Sequence, residues 1–405
     1  MIPYKTEESA DIAMNSTQKN TSILFQVIRA ELEQTPFDTA ILDTMDEKKC
    51  EGLLQLAAGH DLAHFIGKIW NGKTENPALC EIQRSFQQTY LYVLTRYVRL
   101  QYTQEQVFEA LDQAKIPYMP LKGAVIRPLF PEPAMRTSCD IDILVKPEDL
   151  ESARSVLTDT LGYRFDQEGQ HDLSLYSLNE THIELHFRLI GDDLTGIIDQ
   201  PLLDVWQYAM PAQEGTCRYV LPEEVSYYYH IAHMAKHMMV GGCGIRPLID
   251  TYLLNRKISF DREKRDKILQ SGGLVTFARQ MEALSAVWFE GAPHTPITEQ
   301  LEDYIVHGGN FGSTSNKIAI MQTKLGSKGA YTRSRIWLKF DELRFQYPVI
   351  EKHRYLIPVC QVRRWFRLVF LTDHTRQKEE VRATAAMTED RRTEIVSMLK
   401  DLELM

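Results

Sequence analysis

The sequence has no run of about 18 apolar residues, the length a helix needs to cross a bilayer, so no transmembrane segment is expected. Its most apolar late segment, Trp365 to Leu371, is short and broken by Arg367. Cysteine is sparse: Cys50, Cys80, Cys139, Cys217, Cys243 and Cys360 lie far apart with no CxxC pair, which argues against a zinc ribbon. Reduced thiols in a cytoplasm are the expectation. The N-terminus, Met1 to Glu8, lacks the apolar stretch of a secretory leader. Positive charge is not in excess. Lys and Arg number 46 against 55 Asp and Glu, for a net charge of −9, which argues against a general nucleic-acid coat. What is present is ordinary globular composition, 44% hydrophobic and 25% charged over 405 residues. That length allows about two to four domains.

Helical spacing dominates from Ile23 to about Leu111. Ile23, Val27 and Ile28 share a face, and Phe86, Tyr90, Val93, Tyr97 and Leu100 recur at spacings of three and four. Residues 1–20 are polar and are expected to fray. The texture changes at Ile116. Ile116 to Leu121 is short, apolar and bounded by prolines, as a strand entering a loop would be. Asp140-Ile141-Asp142-Ile143-Leu144-Val145 reads as a strand partly facing a site. Pro147 to Leu161 reads as a helix stopped at Gly162. Three more strands follow, from Tyr163, from Leu173 to Leu178 and from His182 to Leu189. From Pro222 the pattern is helical again, with one helix over Glu223–Val240 and another over Ile245–Leu254. Residues 331–378 carry eleven Lys or Arg against four Asp or Glu, interleaved with Trp337, Phe340, Phe345, Trp365 and Phe366. That basic aromatic region fits either an anionic acceptor such as RNA or the core of a helical subdomain; its Arg363–Arg367 run also fits a membrane surface.

The chemistry concentrates at Asp140 and Asp142. Residues two apart on a strand point to one side, so both carboxylates can grip a divalent cation such as Mg²⁺ or Mn²⁺. In His182-Ile183-Glu184-Leu185-His186 the alternation turns Ile183 and Leu185 inward and His182, Glu184 and His186 to the other face. Glu184 completes a three-acid set if its strand neighbours that of Asp140. Alone, each feature also fits a solvated strand end. His230, His233 and His237 share one helix face. Three histidines on one helix do not readily make a tetrahedral zinc site, so His233 and His237 are better placed as pocket walls with Arg246 and Asp250. Gly308-Gly309-Asn310-Phe311-Gly312 is a loop and not a Walker motif, because no Gly-Lys-Ser/Thr follows.

Leu121-Lys122-Gly123, Arg136, Asp140-Ile141-Asp142 and the later acidic strand resemble the nucleotidyltransferase fold of the DNA polymerase β superfamily. More narrowly, they resemble a bacterial family of nucleotidyltransferase proteins. Ala57 to Leu62, the helix with His230, His233 and His237 followed by Arg246 and Asp250, and Tyr347-Pro348 with Leu356-Ile357-Pro358 and Arg363-Arg364 are also similar to that family. The likeness is sharp over about residues 116–190. One departure stands out. The superfamily loop is usually Gly-Gly or Gly-Ser, and here it is Gly123-Ala124 with no hydroxyl. Any phosphate grip at Lys122, Gly123 and Ala124 would come from backbone N–H groups and the Lys122 charge.

The resemblance implies an α+β fold: a minimal polymerase β-like core, a mixed sheet with helices, embedded in flanking helical segments. The expected division is an N-terminal helical region 1–104, the core 105–210, a helical region 211–330 and a basic aromatic helical region 331–405. The implied activity is metal-dependent transfer of a nucleoside monophosphate from an NTP to a hydroxyl-bearing acceptor, with release of pyrophosphate. The resemblance leaves the acceptor open among a small molecule, a sugar, a protein and an RNA. Asp140, Asp142 and Glu184 would be catalytic and hold two Mg²⁺ ions. Lys122, Gly123, Ala124 and Arg136 would bind the nucleotide, Arg136 by contacting a phosphate or bracing the acids. His182, His186, His233, His237, Arg246 and Asp250 would shape the pocket. Two alternatives stand beside this reading: a nucleotide- or partner-binding protein that kept the fold, and a toxin-like transferase acting on tRNA or protein.

Overall fold

The computed structural model describes residues 7–72, 74–189, 196–310, 312–370 and 375–405. Helices come first: α1 (Glu7–Glu33), a single turn at Ala40–Asp43, α2 (Glu47–Gly59), α3 (Ala63–Ile69) and α4 (Cys80–Gln113). The polar start expected to fray is helical from Glu7. Asp46 caps α2, its side chain accepting from the Lys49 N–H, which satisfies one of the unpaired donors of a helix start. On α4 the expected stripe faces inward, with Tyr90 and Tyr97 half-buried. Phe86, Val93 and Leu100 are buried while Leu91 and Val98, on the other side, are exposed.

A five-stranded sheet follows. Its strands are β1 (Tyr118–Pro120), β2 (Asp140–Val145), β3 (Arg164–Glu168), β4 (Asp172–Tyr176) and β5 (His182–His186). Their spatial order is β1-β2-β5-β4-β3. β2 and β5 run parallel and every other neighbouring pair is antiparallel. A parallel pair needs a crossover. Here it consists of the helix α6 (Leu150–Ser155), its π-helical extension Val156–Thr160 and the β3–β4 hairpin. Gly162, at φ +70°, ends that helix, as a residue free to enter the left-handed region should.

Alternation along the strands sets the layers. Ile141, Ile143 and Val145 of β2, with Ile183 and Leu185 of β5, pack on Leu100, Val107 and Leu111 of α4 and on Ala153 and Leu157. The opposite face, carrying Asp140, Asp142 and Glu184, is turned toward α7 (Glu223–Met238) and α8 (Arg246–Lys257). These helices belong to a larger buried cluster that also takes in α1 to α3 and α9 (Val275–Glu290). Leu338, Leu343, Ile350 and Cys360 form a small separate core in the C-terminal part. The architecture is thus α+β, a mixed sheet set among helices on both sides in sequence. All six cysteines are free thiols. Among the described residues no helix is long and apolar enough to cross a membrane.

Candidate active site

Register brings the acids together. In the parallel β2–β5 ladder Asp140 stands opposite His182, Asp142 opposite Glu184 and Leu144 opposite His186. Neighbouring strands lie about 4.8 Å apart, so side chains on one face of facing residues come within reach of one ion. Two groups of possible ligands result: Asp140, His182 and Glu184, and Asp142, Glu184 and His186, each with its ligand atoms within 4.8 Å of one another.

The three carboxylates do not simply repel. Lys122 reaches back across twenty residues and sets its ammonium 2.6 Å from Asp142 Oδ1 and 3.8 Å from Glu184 Oε2. His186 Nε2 lies 3.0 Å from the same Asp142 oxygen and 3.3 Å from the same Glu184 oxygen. Burial works against the charge on Asp142, but Lys122 and His186 outweigh it and hold its carboxyl well below the usual range. For Asp140, burial, followed by the charge of Asp142, outweighs the opposing charges of Lys122 and Arg246 and pushes its carboxyl up. Burial likewise opposes the Lys122 charge, while Tyr229, Asp142 and Glu184 keep it protonated.

This differs from the expected loop chemistry. The Ala124 and Val125 N–H groups donate to the Leu121 and Lys122 carbonyls, and Ile126 N–H also donates to Lys122. Ala124 does not line the cleft, whereas Gly123 and Val125 do. The helix there, α5 (Gly123–Ile126 in chain order between β1 and β2), is a single turn. Guanidinium groups stand beside Gly123. A Cβ on Gly123 would fall 2.8 Å from Arg136 Nη1 and 3.1 Å from Arg127 Nη2. Arg136 is held by Asp250 through two hydrogen bonds of 3.3 and 2.9 Å, a bidentate pair that is buried on both sides. Arg127 donates to Ser138 Oγ at 2.7 Å, and Arg246 to the Thr137 carbonyl at 2.8 Å.

These residues line one cleft with a cavity of about 350 Å³. Asp140, Asp142, Glu184 and Lys122 form one wall, and Gly123, Arg136, Arg246 and Asp250 another. His233 and His237 of α7 complete it. Burial holds both imidazoles below their ordinary range, His237 at about 4, so they are neutral hydrogen-bonding groups. His182 and His186 are not among the residues that line this cleft; His182 Nε2 lies 2.7 Å from Ser174 Oγ. His230 pairs with Thr251 Oγ1 at 2.9 Å. Ser226, Tyr229 and Lys236 were not singled out from the sequence, yet they line the cleft from the same face of α7 as His233. Spacings of three and four from His233 would have found them. His171 carried no sequence signal; it arrives through the sheet, its ring 5.6 Å from that of His186. Asn310 of the glycine loop lines the cleft, and Phe311 lies outside the described residues. The basic aromatic region contributes none of the described lining residues: Trp337 packs on Trp365 at 5.9 Å, and Arg364 caps the Ile336 and Arg335 carbonyls.

Fold and site define an α+β protein whose sheet presents carboxylates and a buried ammonium to a cleft walled by guanidinium groups. Over residues 46–290, more than half its length, the chain matches the family described as uncharacterised nucleotidyltransferase, and it belongs to that family. Among solved structures, the solution structure of the antibiotic-resistance factor ANT(2'')-Ia is similar at 12% identity and a TM-score of 0.32. The match covers 44% of this chain and 91% of that one, and a likeness so distant supports no statement about the site. No curated protein matches the chain.

Proposed function

We propose that the protein transfers a nucleoside monophosphate from an NTP to a hydroxyl-bearing acceptor and releases pyrophosphate, using Mg²⁺ or Mn²⁺. The observation that carries this is the parallel β2–β5 register, which faces Asp140, Asp142 and Glu184 into one cleft. The carboxylates fall into two donor sets that share Glu184, Asp140 with His182 and Asp142 with His186, and their oxygens suit hard divalent ions that keep water and phosphate oxygens as further ligands. A metal held there would supply neutralising charge to the triphosphate and acidify an acceptor hydroxyl.

The chain's own residues do the rest. Arg136 and Arg246 line the same cleft as the acids and offer the positive charge that a triphosphate there would meet. Asp250 fixes the Arg136 fork, so its planar donors are pre-set before an anion arrives. Gly123 lets the phosphates approach that fork, because a side chain there would displace it. Glu184, less enclosed than Asp142, is placed to accept the acceptor's proton. His233, His237 and Tyr229 form the wall opposite the sheet, where a base or acceptor would rest.

The test is a thermal-shift series with each of four NTPs, with and without Mg²⁺ or Mn²⁺, on wild type and on Asp140→Asn/Asp142→Asn. A ligand that binds only the folded state raises the midpoint. A metal-dependent rise with one NTP, lost in the variant and matched by pyrophosphate release, is expected. Unchanged turnover in the variant overturns the assignment. An NTP shift without pyrophosphate release across acceptor panels supports instead the binding-protein reading, which the missing hydroxyl at Ala124 favours.

A further inference from the structure

We propose that this site takes one divalent cation rather than two, at Asp140, Glu184 and His182, and that the Lys122 ammonium holds the second position as a resident cation. The inference rests on the metal-dependent reading above. Glu184 belongs to both possible ligand groups, so the two positions lie side by side. The one beside Asp142 is already filled. Lys122 Nζ and His186 Nε2 converge on the same oxygen of Asp142 and the same oxygen of Glu184. Asp142 is 3% exposed and His186 1%, so an ion beside Asp142 must displace the Lys122 ammonium rather than join it. For His186 Nε2 to donate to these carboxylates it must carry a proton, so its lone pair is not offered to a metal there.

Lys122 is also held where it is by its backbone. Its φ of 43° and ψ of −107° are rarely adopted by a residue with a side chain, and such conformations persist where the surroundings enforce them.

The open position has a different donor set. His182 Nε2 is 2.7 Å from Ser174 Oγ. When that nitrogen carries the proton and donates to Ser174, the Nδ1 lone pair faces Glu184 Oε1 at 4.0 Å. One imidazole with two carboxylates favours Mn²⁺ over Mg²⁺, because nitrogen ligands suit first-row transition ions.

The experiment counts Mn²⁺ bound to the full chain without nucleotide, by electron paramagnetic resonance of the free ion and by calorimetry. One Mn²⁺ per chain is expected in wild type and two in Lys122→Met. His182→Gln should weaken Mn²⁺ binding by about tenfold or more and Mg²⁺ binding by less. Two ions in wild type, one in a folded Lys122→Met, or equal losses for both metals in His182→Gln would each overturn the inference. If Lys122→Met does not fold, the wild-type count and the His182→Gln preference decide. No Mn²⁺ bound without nucleotide overturns the inference alone, provided NTP and Mn²⁺ together still stabilise the protein. If that stabilisation is missing as well, the metal-dependent transfer reading fails with it.

Discussion

Gly123 and Asp250 show how single residues set the cleft. Two guanidinium groups press on Gly123, and both are pinned, Arg136 by Asp250 and Arg127 by Ser138. A methyl at Gly123 must therefore move a charge that has its own partner. Gly123→Ala is expected to weaken NTP binding by about tenfold, roughly 1.4 kcal/mol, with a modest fall in the melting midpoint. Calorimetric titration with NTP checks this, and unchanged affinity would show that the guanidinium wall does not face the triphosphate. Asp250→Ala has a different effect. It leaves the buried Arg136 without its carboxylate, and breaking a buried pair from one side costs about 3–5 kcal/mol. Urea unfolding should show that loss, with Asp250→Asn intermediate because the amide oxygen can still accept one of the two bonds. At this scale the acids were legible in the sequence, since alternation alone turned Asp140, Asp142 and Glu184 to a common face. The partner of Asp142 was not. The Lys122 charge was assigned to phosphates, and only the folded loop shows its ammonium among the carboxylates.

Elements were easier to read than their junctions. The strand before Lys122, the Asp140 strand, the helix ending at Gly162 and the three later strands are all present, because their periods and stops are local properties of the chain. What was not local was lost. The N-terminal helix begins in polar sequence that looked frayed, and its buried face, with Leu24, Val27 and Ile28, lies farther along. The cleft-lining set on α7 was read through its histidines alone, because Tyr229 and Lys236 have ordinary uses on any helix. Packing between elements gives a test at this scale. α3 and α4 meet at Gly67, where a Cβ would fall on the Phe86 carbonyl, a backbone atom that cannot rotate away. Gly67→Ala must push the two helices apart. A destabilisation of about 1–3 kcal/mol or more is expected, as in other overpacked contacts, measured as a fall in the unfolding midpoint. NTP affinity should be spared in the fraction that remains folded, because Gly67 lies away from the cleft.

Taken as a whole molecule, the protein buries an unusual set of neutral histidines, and this fixes how it should respond to acid. Burial lowers the imidazoles of His60, His64, His230, His233 and His237, with His64 and His237 held at about 4. The unfolded chain protonates the same groups near 6.5. Between pH 6.5 and 4 the unfolded state therefore binds more protons, so stability falls as pH falls through that window. His64 is fully buried and alone contributes about 2 kcal/mol of this loss by pH 5. His186 and His307 act in the opposite sense. Burial opposes the charge on His186, but Asp142 and Glu184 outweigh it, and for His307 Asp303 is the main cause of the rise. What those two contribute is present below 6.5 and is lost as pH rises through their raised values. With His171, which burial also lowers, six lowered groups against two raised ones make acid the weaker side. The melting midpoint should hold near pH 7.5 and drop steeply between pH 6.5 and 5, before the Asp142 carboxylate, stabilised by Lys122, begins to protonate. In His64→Gln the neutral amide can still donate to the Met135 carbonyl, which His64 Nε2 approaches at 2.8 Å, so the drop should be shallower. A midpoint that stays level down to pH 5 in wild type would mean that these histidines reach water or a counter-charge in the folded state.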